Sequence, residues 1–153
     1  MSRRVRRLRK GGVELRLPEG ERAFLRSLAP QMREMLETPD DPAVARLFPQ
    51  AYTEDEQREA EYQLLAHSEL MESHLAALAT LEASADAERL DREQADAWMR
   101  ALNEVRLVLG TRLDVTEEGH ERPTTTDDPR APVFAAYDYL SMLQSELIDA
   151  LAR

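Results

Sequence analysis

Along most of this chain, apolar residues return every three or four positions, the spacing that lines one side of an α-helix. Phe24, Leu25, Leu28, Met32, Met35 and Leu36 predict a first helix after Pro18. Pro30 interrupts it, and because proline lacks an N–H it is expected to kink or split the helix there. A short helix follows in "DPAVARLFPQAY", with Asp41 as its cap and Pro42 at its first position. Thr53 and Glu56 have capping-box spacing and open a long helix over about 54–84. Its expected core stripe is Ala60, Leu64, Met71, Leu75, Leu78 and Ala79, with Ser68 inside it. Leu70 and Leu81 lie on another side, and this second stripe predicts packing on another element or on a second subunit, a homodimer. After the turn "DAERLDREQ", Asp91 and Gln94 cap a helix over about 91–114, centred on Trp98, Leu102, Val105 and Leu109. Asp128 is the expected cap of a last helix over about 130–152, which turns Val133, Ala136, Tyr137, Leu140, Leu143, Leu147 and Leu151 inward.

The N-terminus follows a different period. Val13, Leu15 and Leu17 alternate with Glu14 and Arg16, as in a half-buried strand. Lys10-Gly11-Gly12 supplies a turn, and Val5 or Leu8 falls on the partner strand. A lone hairpin is marginal in water, so this one is expected to pack on helices. The fold expected is therefore mainly α, a helical bundle of four main helices with a small N-terminal β-hairpin. One domain over residues 1–153 is expected, with a basic hairpin at 1–17, helices at 18–115, an acidic loop at 116–130 and a C-terminal helix at 131–152.

Charge adds an asymmetry to this picture. The chain carries a net −10 over 153 residues. Arg3, Arg4, Arg6, Arg7, Arg9, Lys10 and Arg16 face only Glu14 within the first 16 residues, so the body is strongly acidic. An acidic body disfavours nucleic acid and membrane surfaces, whereas the basic end favours an anionic partner. A β-ribbon can enter a nucleic-acid groove, so a nucleic-acid-associated transcriptional regulator using this hairpin is one functional reading. Aromatic interleaving is missing, and the plainer alternative is a solvated strand whose arginines pair with the body. The chain has no cysteine, which removes disulfides, thiolate nucleophiles and thiol redox switches from it. Neither an apolar run of membrane-spanning length nor a signal-peptide core follows the basic start, and the cytoplasm is the expected compartment.

The helix at 91–114 carries polar residues where its pattern asks for apolar ones. Arg112 falls inside the face, Arg106 flanks it, and Gly110 and Asn103 lie beyond. On the last helix, Gln144 lies near the middle of the inward face. An unpaired amide or guanidinium in a core costs several kcal/mol, so these groups need partners. Asn103, Arg106, Arg112 and Gln144 are thus read as a structural polar network between helices, or else as a small-ligand pocket around Asn103, Arg106 and Gln144. His67 and His74 stand seven residues apart, roughly 10.5 Å along a helix, too far to share one metal ion. Glu117 and His120 have E-x-x-H spacing but fall in the acidic loop. No Walker loop, nucleophile elbow or dinucleotide fingerprint is present, so no catalytic residue, cofactor or metal is expected.

"DPAVARLFPQAY", "WMRALNEVRLVLGTRLDVTEE" and "DPRAPVFAAYDYLSMLQSELIDAL", in that order and behind a basic hairpin, carry a family resemblance. The chain resembles an actinobacterial family known as a domain of unknown function, which includes the AosR oxidative-stress regulators. Nearly the whole chain is covered. The resemblance implies a cytoplasmic regulatory protein without catalysis that acts by binding other proteins. It also implies partners in transcription or proteolysis, because family members are commonly encoded beside the ClpS-type protease adaptor and an alternative sigma factor is their proposed partner. The redox role ascribed to the family relies on a cysteine pair, and this chain has none.

Overall fold

The computed structural model describes residues 3–38, 41–45, 47–48, 54–113 and 127–152. Two short strands open the fold, β1 (Val5–Arg7) and β2 (Val13–Leu15). They pair antiparallel with Val5 opposite Leu15 and Arg7 opposite Val13. Gly11 and Gly12 form the turn, with φ of +95° and +79°. Gly12 is needed twice over, because a side chain there would be strained by its φ and would collide with the Leu90 carbonyl oxygen. That carbonyl belongs to β3 (Arg89–Leu90), which adds to β2 antiparallel and makes a three-stranded sheet in the order β1-β2-β3. The sequence pattern predicts only a turn here. A two-residue strand is too short to register as a period, and it exists because the hairpin lies against it.

Helix α1 (Glu19–Leu36) runs through Pro30 and is not split there. Pro30 removes one donor and is exposed, while Leu25, Leu28, Ala29 and Met32 on either side of it remain buried. The helix begins directly after Pro18, and the Arg22 guanidinium ties its start to its neighbours. Nε donates to the Leu17 carbonyl at 3.0 Å, and Nη1 to the carbonyls of Ala85 and Ala87 at 2.9 and 2.7 Å. Helix α2 (Pro42–Ala45) is one turn long, and Asp41 Oδ1 accepts from the Ala43 N–H at 2.9 Å, the expected cap.

Helix α3 (Glu56–Ser84) is the longest element. Its N-cap is Asp55, which accepts from the Arg58 N–H at 3.1 Å, and not the Thr53–Glu56 box; Thr53 lies outside the described residues. Helix α4 (Arg92–Arg112) has the expected capping box, Asp91 with Gln94. Helix α5 (Ala131–Leu151) starts after Arg130 without a side-chain cap. Asp128 instead accepts from the Arg130 N–H at 2.8 Å and closes the turn before the helix. Of the acidic loop at 116–130, only residues 127–130 are described, so Glu117 and His120 lie outside them.

Helix α4 is central, packed against α3 on one side and α5 on the other, while α1 covers α3 and the sheet covers α5 through β1 and β2. Trp98 lies at the heart of the core among Leu78, Leu81, Leu102, Leu140, Leu143 and Leu147. Its indole N–H donates to Ser84 Oγ at 2.7 Å, and that hydroxyl donates to the Thr80 carbonyl at 2.5 Å. No buried donor is stranded on the ring. On α5 the inward face is set by Phe134, Leu140, Leu143, Gln144 and Leu147, while Val133, Ala136, Tyr137 and Leu151 are only partly covered.

The stripe on α3 departs in part from expectation: Leu78 is core and Met71 packs against it, but the rest of the expected stripe is exposed. Ala77, Leu78, Leu81 and Ser84 are buried, whereas Leu64 and Leu65 are 83% and 80% exposed and Leu75 is 36% exposed. Ala60, Ser68 and Ala79 are exposed as well. Apolar residues lie on more than one side of α3, so periodicity does not select the packed face. Contact with α1 and α4 near the C-terminal half selects it, and Leu81 from the secondary stripe becomes core.

Candidate functional site

Three polar clusters and one open face distinguish this molecule from a plain bundle. The first cluster joins α4 to α5. Arg106 Nε donates to Ser141 Oγ at 2.9 Å, its Nη1 donates to Gln144 Oε1, and the guanidinium lies 5.4 Å from the Tyr137 ring centre. Ser141 Oγ in turn donates to the Tyr137 carbonyl at 2.9 Å. Asn103 and Arg112 do not join this cluster. Asn103 is exposed on the outer side of α4. Arg112 stands on the core side by angle, but it sits in the last turn, where a long side chain reaches past the bundle; its guanidinium pairs with Asp41 at 3.3 Å. Gly110 is buried on α4.

The second cluster has no counterpart in the sequence reading. Glu104 of α4 is 2% exposed and accepts from His74 Nδ1 of α3 at 2.5 Å. The other imidazole nitrogen, Nε2, lies 3.0 Å from the Leu47 carbonyl. A carbonyl only accepts, so Nε2 carries a hydrogen, and the proton between Nδ1 and Glu104 is shared by the pair. Burial pushes the Glu104 carboxyl above the usual carboxylate range, against the opposing pull of His74 and of Arg100. For His74, burial acts downward and Arg100 opposes its charge. The hydrogen bonds to Glu104 and Leu47 outweigh both, and the imidazole holds its proton above its ordinary range. Phe48 stacks on His67 with ring centres 4.3 Å apart and meets His74 edge-on at 5.4 Å. This triad of rings closes the segment after α2 onto α3. Glu104 Oε2 has no hydrogen-bond partner among the described residues. The signal was present in the sequence, since Glu104 is three residues after Ala101 and four before Val108, both buried.

The third cluster fixes the sheet. Glu146 Oε1 of α5 accepts from the backbone N–H groups of Arg4 and Val5 at 2.8 and 3.2 Å. Arg4 pairs with Glu21 of α1 at 3.0 Å, and Arg3 with Asp149 at 3.3 Å. Burial and the adjacent Glu21 push the Tyr139 hydroxyl up, so it stays neutral. Of the basic N-terminal residues, Arg3 and Arg4 are therefore held by the body. Arg6, Arg7, Arg9 and Lys10 are exposed and form no ion pair among the described residues.

The open face is the N-terminal half of α3. Leu64 and Leu65 stand in solvent there, and between residues 54 and 73 Glu54, Asp55, Glu56, Glu59, Glu61, Glu69 and Glu72 outnumber the single Arg58. Further along, α3 and α4 enclose a groove of about 550 Å³ lined by Ser73, Ala76, Ala77, Thr80, Ala83, Gln94, Ala97 and Arg100. Among the described residues, no group of three or more His, Cys, Asp or Glu is arranged to hold a metal ion, and no helix is long and apolar enough to cross a membrane.

Fold and clusters together define a mainly helical protein with a small antiparallel sheet, whose buried polar groups tie its own elements to one another. The chain belongs to the family described as "Domain of unknown function (DUF2017)", whose model matches residues 2–151. It is similar to the "Oxidative stress regulator AosR" of Mycobacterium bovis and of Mycobacterium tuberculosis, 30% identical to each over 128 residues. Those alignments cover 72% of this chain and 58% of each relative. A Mycobacterium leprae relative carrying the same AosR designation is 30% identical over 130 residues, 74% of this chain and 59% of its own. The chain thus spans about three-fifths of the length of these curated relatives. No solved structure matches the chain.

Proposed function

We propose that this protein is a non-enzymatic, cytoplasmic regulatory protein of a stress response that acts by binding another protein. The observation that carries this reading is the exposed apolar run on α3, Leu64 and Leu65, in a chain whose other large apolar side chains are mostly buried. Contiguous apolar surface on a soluble domain is characteristic of an interaction site. The reading is supported from the chemical side as well. His74, Glu104, Arg106 and Gln144 are engaged with one another and with backbone carbonyls, which suits structural roles rather than a substrate or a small ligand. The stress-response element comes from the name given to the mycobacterial relatives. Without cysteine in this chain, the regulation proposed here works through binding and not through a thiol switch within it.

The test is affinity capture from native lysate, with the captured proteins identified by mass spectrometry. The intact chain is expected to retain a specific protein that the Leu64→Glu/Leu65→Glu variant loses. Identical capture by both, with equal thermal stability, would remove the basis of this reading.

A second reading rests on the four exposed cations of the hairpin, Arg6, Arg7, Arg9 and Lys10, as contacts to an anionic partner such as nucleic acid. Phosphate contacts release counterions, so such binding weakens steeply with salt. Binding to duplex DNA or RNA that is salt-independent, or unchanged when these four residues are replaced by serine, would exclude it.

A further inference from the structure

The interaction reading leaves the partner's chemistry open, and the surface along α3 narrows it. Leu65, Glu69, Glu72, Ala76, Thr80 and Ala83 follow one another at steps of three or four residues. On a helix such positions form one continuous line. The first part of this line is exposed and carries the large apolar side chains Leu64 and Leu65. The second part becomes the floor of the groove between α3 and α4, about 550 Å³ in volume. Its residues there are small, so the backbone of a docked element can come close to α3. Asp91, Glu93 and Asp96, at the start of α4, make one side of the groove acidic, with Asp96 paired to Arg92 at 3.2 Å, and Glu69 and Glu72 stand exposed on the approach to it along α3. Among the described residues, Arg100 is the one cation lining the groove, and it already donates to Ser73 Oγ.

We propose that this groove, with Leu64 and Leu65 at its open end, binds a basic amphipathic helix of a partner protein. The proposal rests on the interaction reading above. Helix-in-groove recognition uses anchors at three- and four-residue spacing on the incoming helix, which matches a groove that runs along α3. Charge selects the kind of helix. Lysines and arginines flanking its apolar stripe would meet Glu69 and Glu72 on the approach and Asp91, Glu93 and Asp96 beside the groove, which steers encounter and fixes register. A second copy of this chain would set the same acidic side chains against each other, where like charges oppose association. A phosphate-bearing surface is repelled for the same reason.

The test titrates the full chain against fluorescently labelled synthetic helices and follows anisotropy. The probes are a Leu/Lys amphipathic helix, its Leu/Glu counterpart, and a Leu/Lys peptide of the same composition scrambled to remove the apolar stripe. Saturable binding of the first alone is expected. Leu64→Glu/Leu65→Glu should weaken it about tenfold or more, as loss of central apolar anchors does. Glu72→Lys/Asp96→Lys should shift preference toward the Leu/Glu helix while the circular-dichroism melting curve stays unchanged. Absence of binding, equal binding of the scrambled peptide, or indifference to both variants would overturn the proposal. So would sedimentation showing that the chain self-associates through Leu64 and Leu65. If the peptide fails while lysate capture still depends on Leu64 and Leu65, the basic-helix assignment falls and the interaction reading stands.

Discussion

Glu104 is a carboxylate at 2% exposure, and its burial is tolerable only because His74 shares a proton with it. The two groups titrate as a pair. Unfolded, the imidazole releases its proton near 6.5; folded, it holds the proton to higher pH. A raised folded value contributes stability that is complete below pH 6.5 and lost as pH rises through the folded value. Chemical denaturation at a series of pH values should therefore show stability falling above 6.5. In Glu104→Gln that decline should be much shallower, and an equally steep decline would exclude the pair as its source. Arg106→Leu probes the other lock. It leaves Gln144 and Ser141 without their guanidinium partner and should cost about 1–3 kcal/mol in urea unfolding. Residues of this kind are partly legible in sequence. Arg106 and Gln144 stand out as polar groups beside apolar faces, and Glu104 obeys the same angular rule although abundant glutamate masks it. Asn103 and Arg112 show where the rule fails. Angle alone does not say which neighbour a side chain reaches: Asn103 is exposed on the outer side of α4, and Arg112 extends past the bundle to Asp41.

At the scale of elements, what local chemistry encodes was readable and what distant contacts decide was not. The hairpin follows from the Gly11-Gly12 turn and the alternation after it, and α4 from its capping box. β3 and the packed face of α3 depend on neighbours remote in sequence, and no local period reports them. Gly12 makes the difference measurable. Gly11 and Gly12 both have positive φ, but a side chain at Gly11 meets nothing within 4 Å while one at Gly12 strikes β3. Gly12→Ala should therefore lower the melting temperature more than Gly11→Ala, with roughly 1–3 kcal/mol of strain common to both. Equal losses would mean that β3 does not lie against the turn. Ser84→Ala tests the core in the same way. It strands the Trp98 N–H between α3 and α4 and should cost about 1–3 kcal/mol by thermal or urea denaturation.

For the whole molecule, the separation of charge noted in the sequence takes a spatial form. Part of the basic end is drawn onto the body through Arg3 and Arg4, which fasten β1 to α1 and α5. Acidic residues crowd the N-terminal half of α3, beside apolar residues that stand exposed there. The sequence pattern assigned Leu64 to the core and did not single out Leu65. Their exposure is what the proposed binding face rests on. The expectation of a second subunit arose from Leu70 and Leu81, and Leu81 is core. Site-specific photo-crosslinking in cells tests the central claim most directly. A photoreactive amino acid replaces Leu65 in one variant and the exposed Asn103 in another. The account predicts a discrete crosslink to a different protein from position 65 and none from position 103. Absence of any crosslink at 65, or a product containing only this chain, would contradict it.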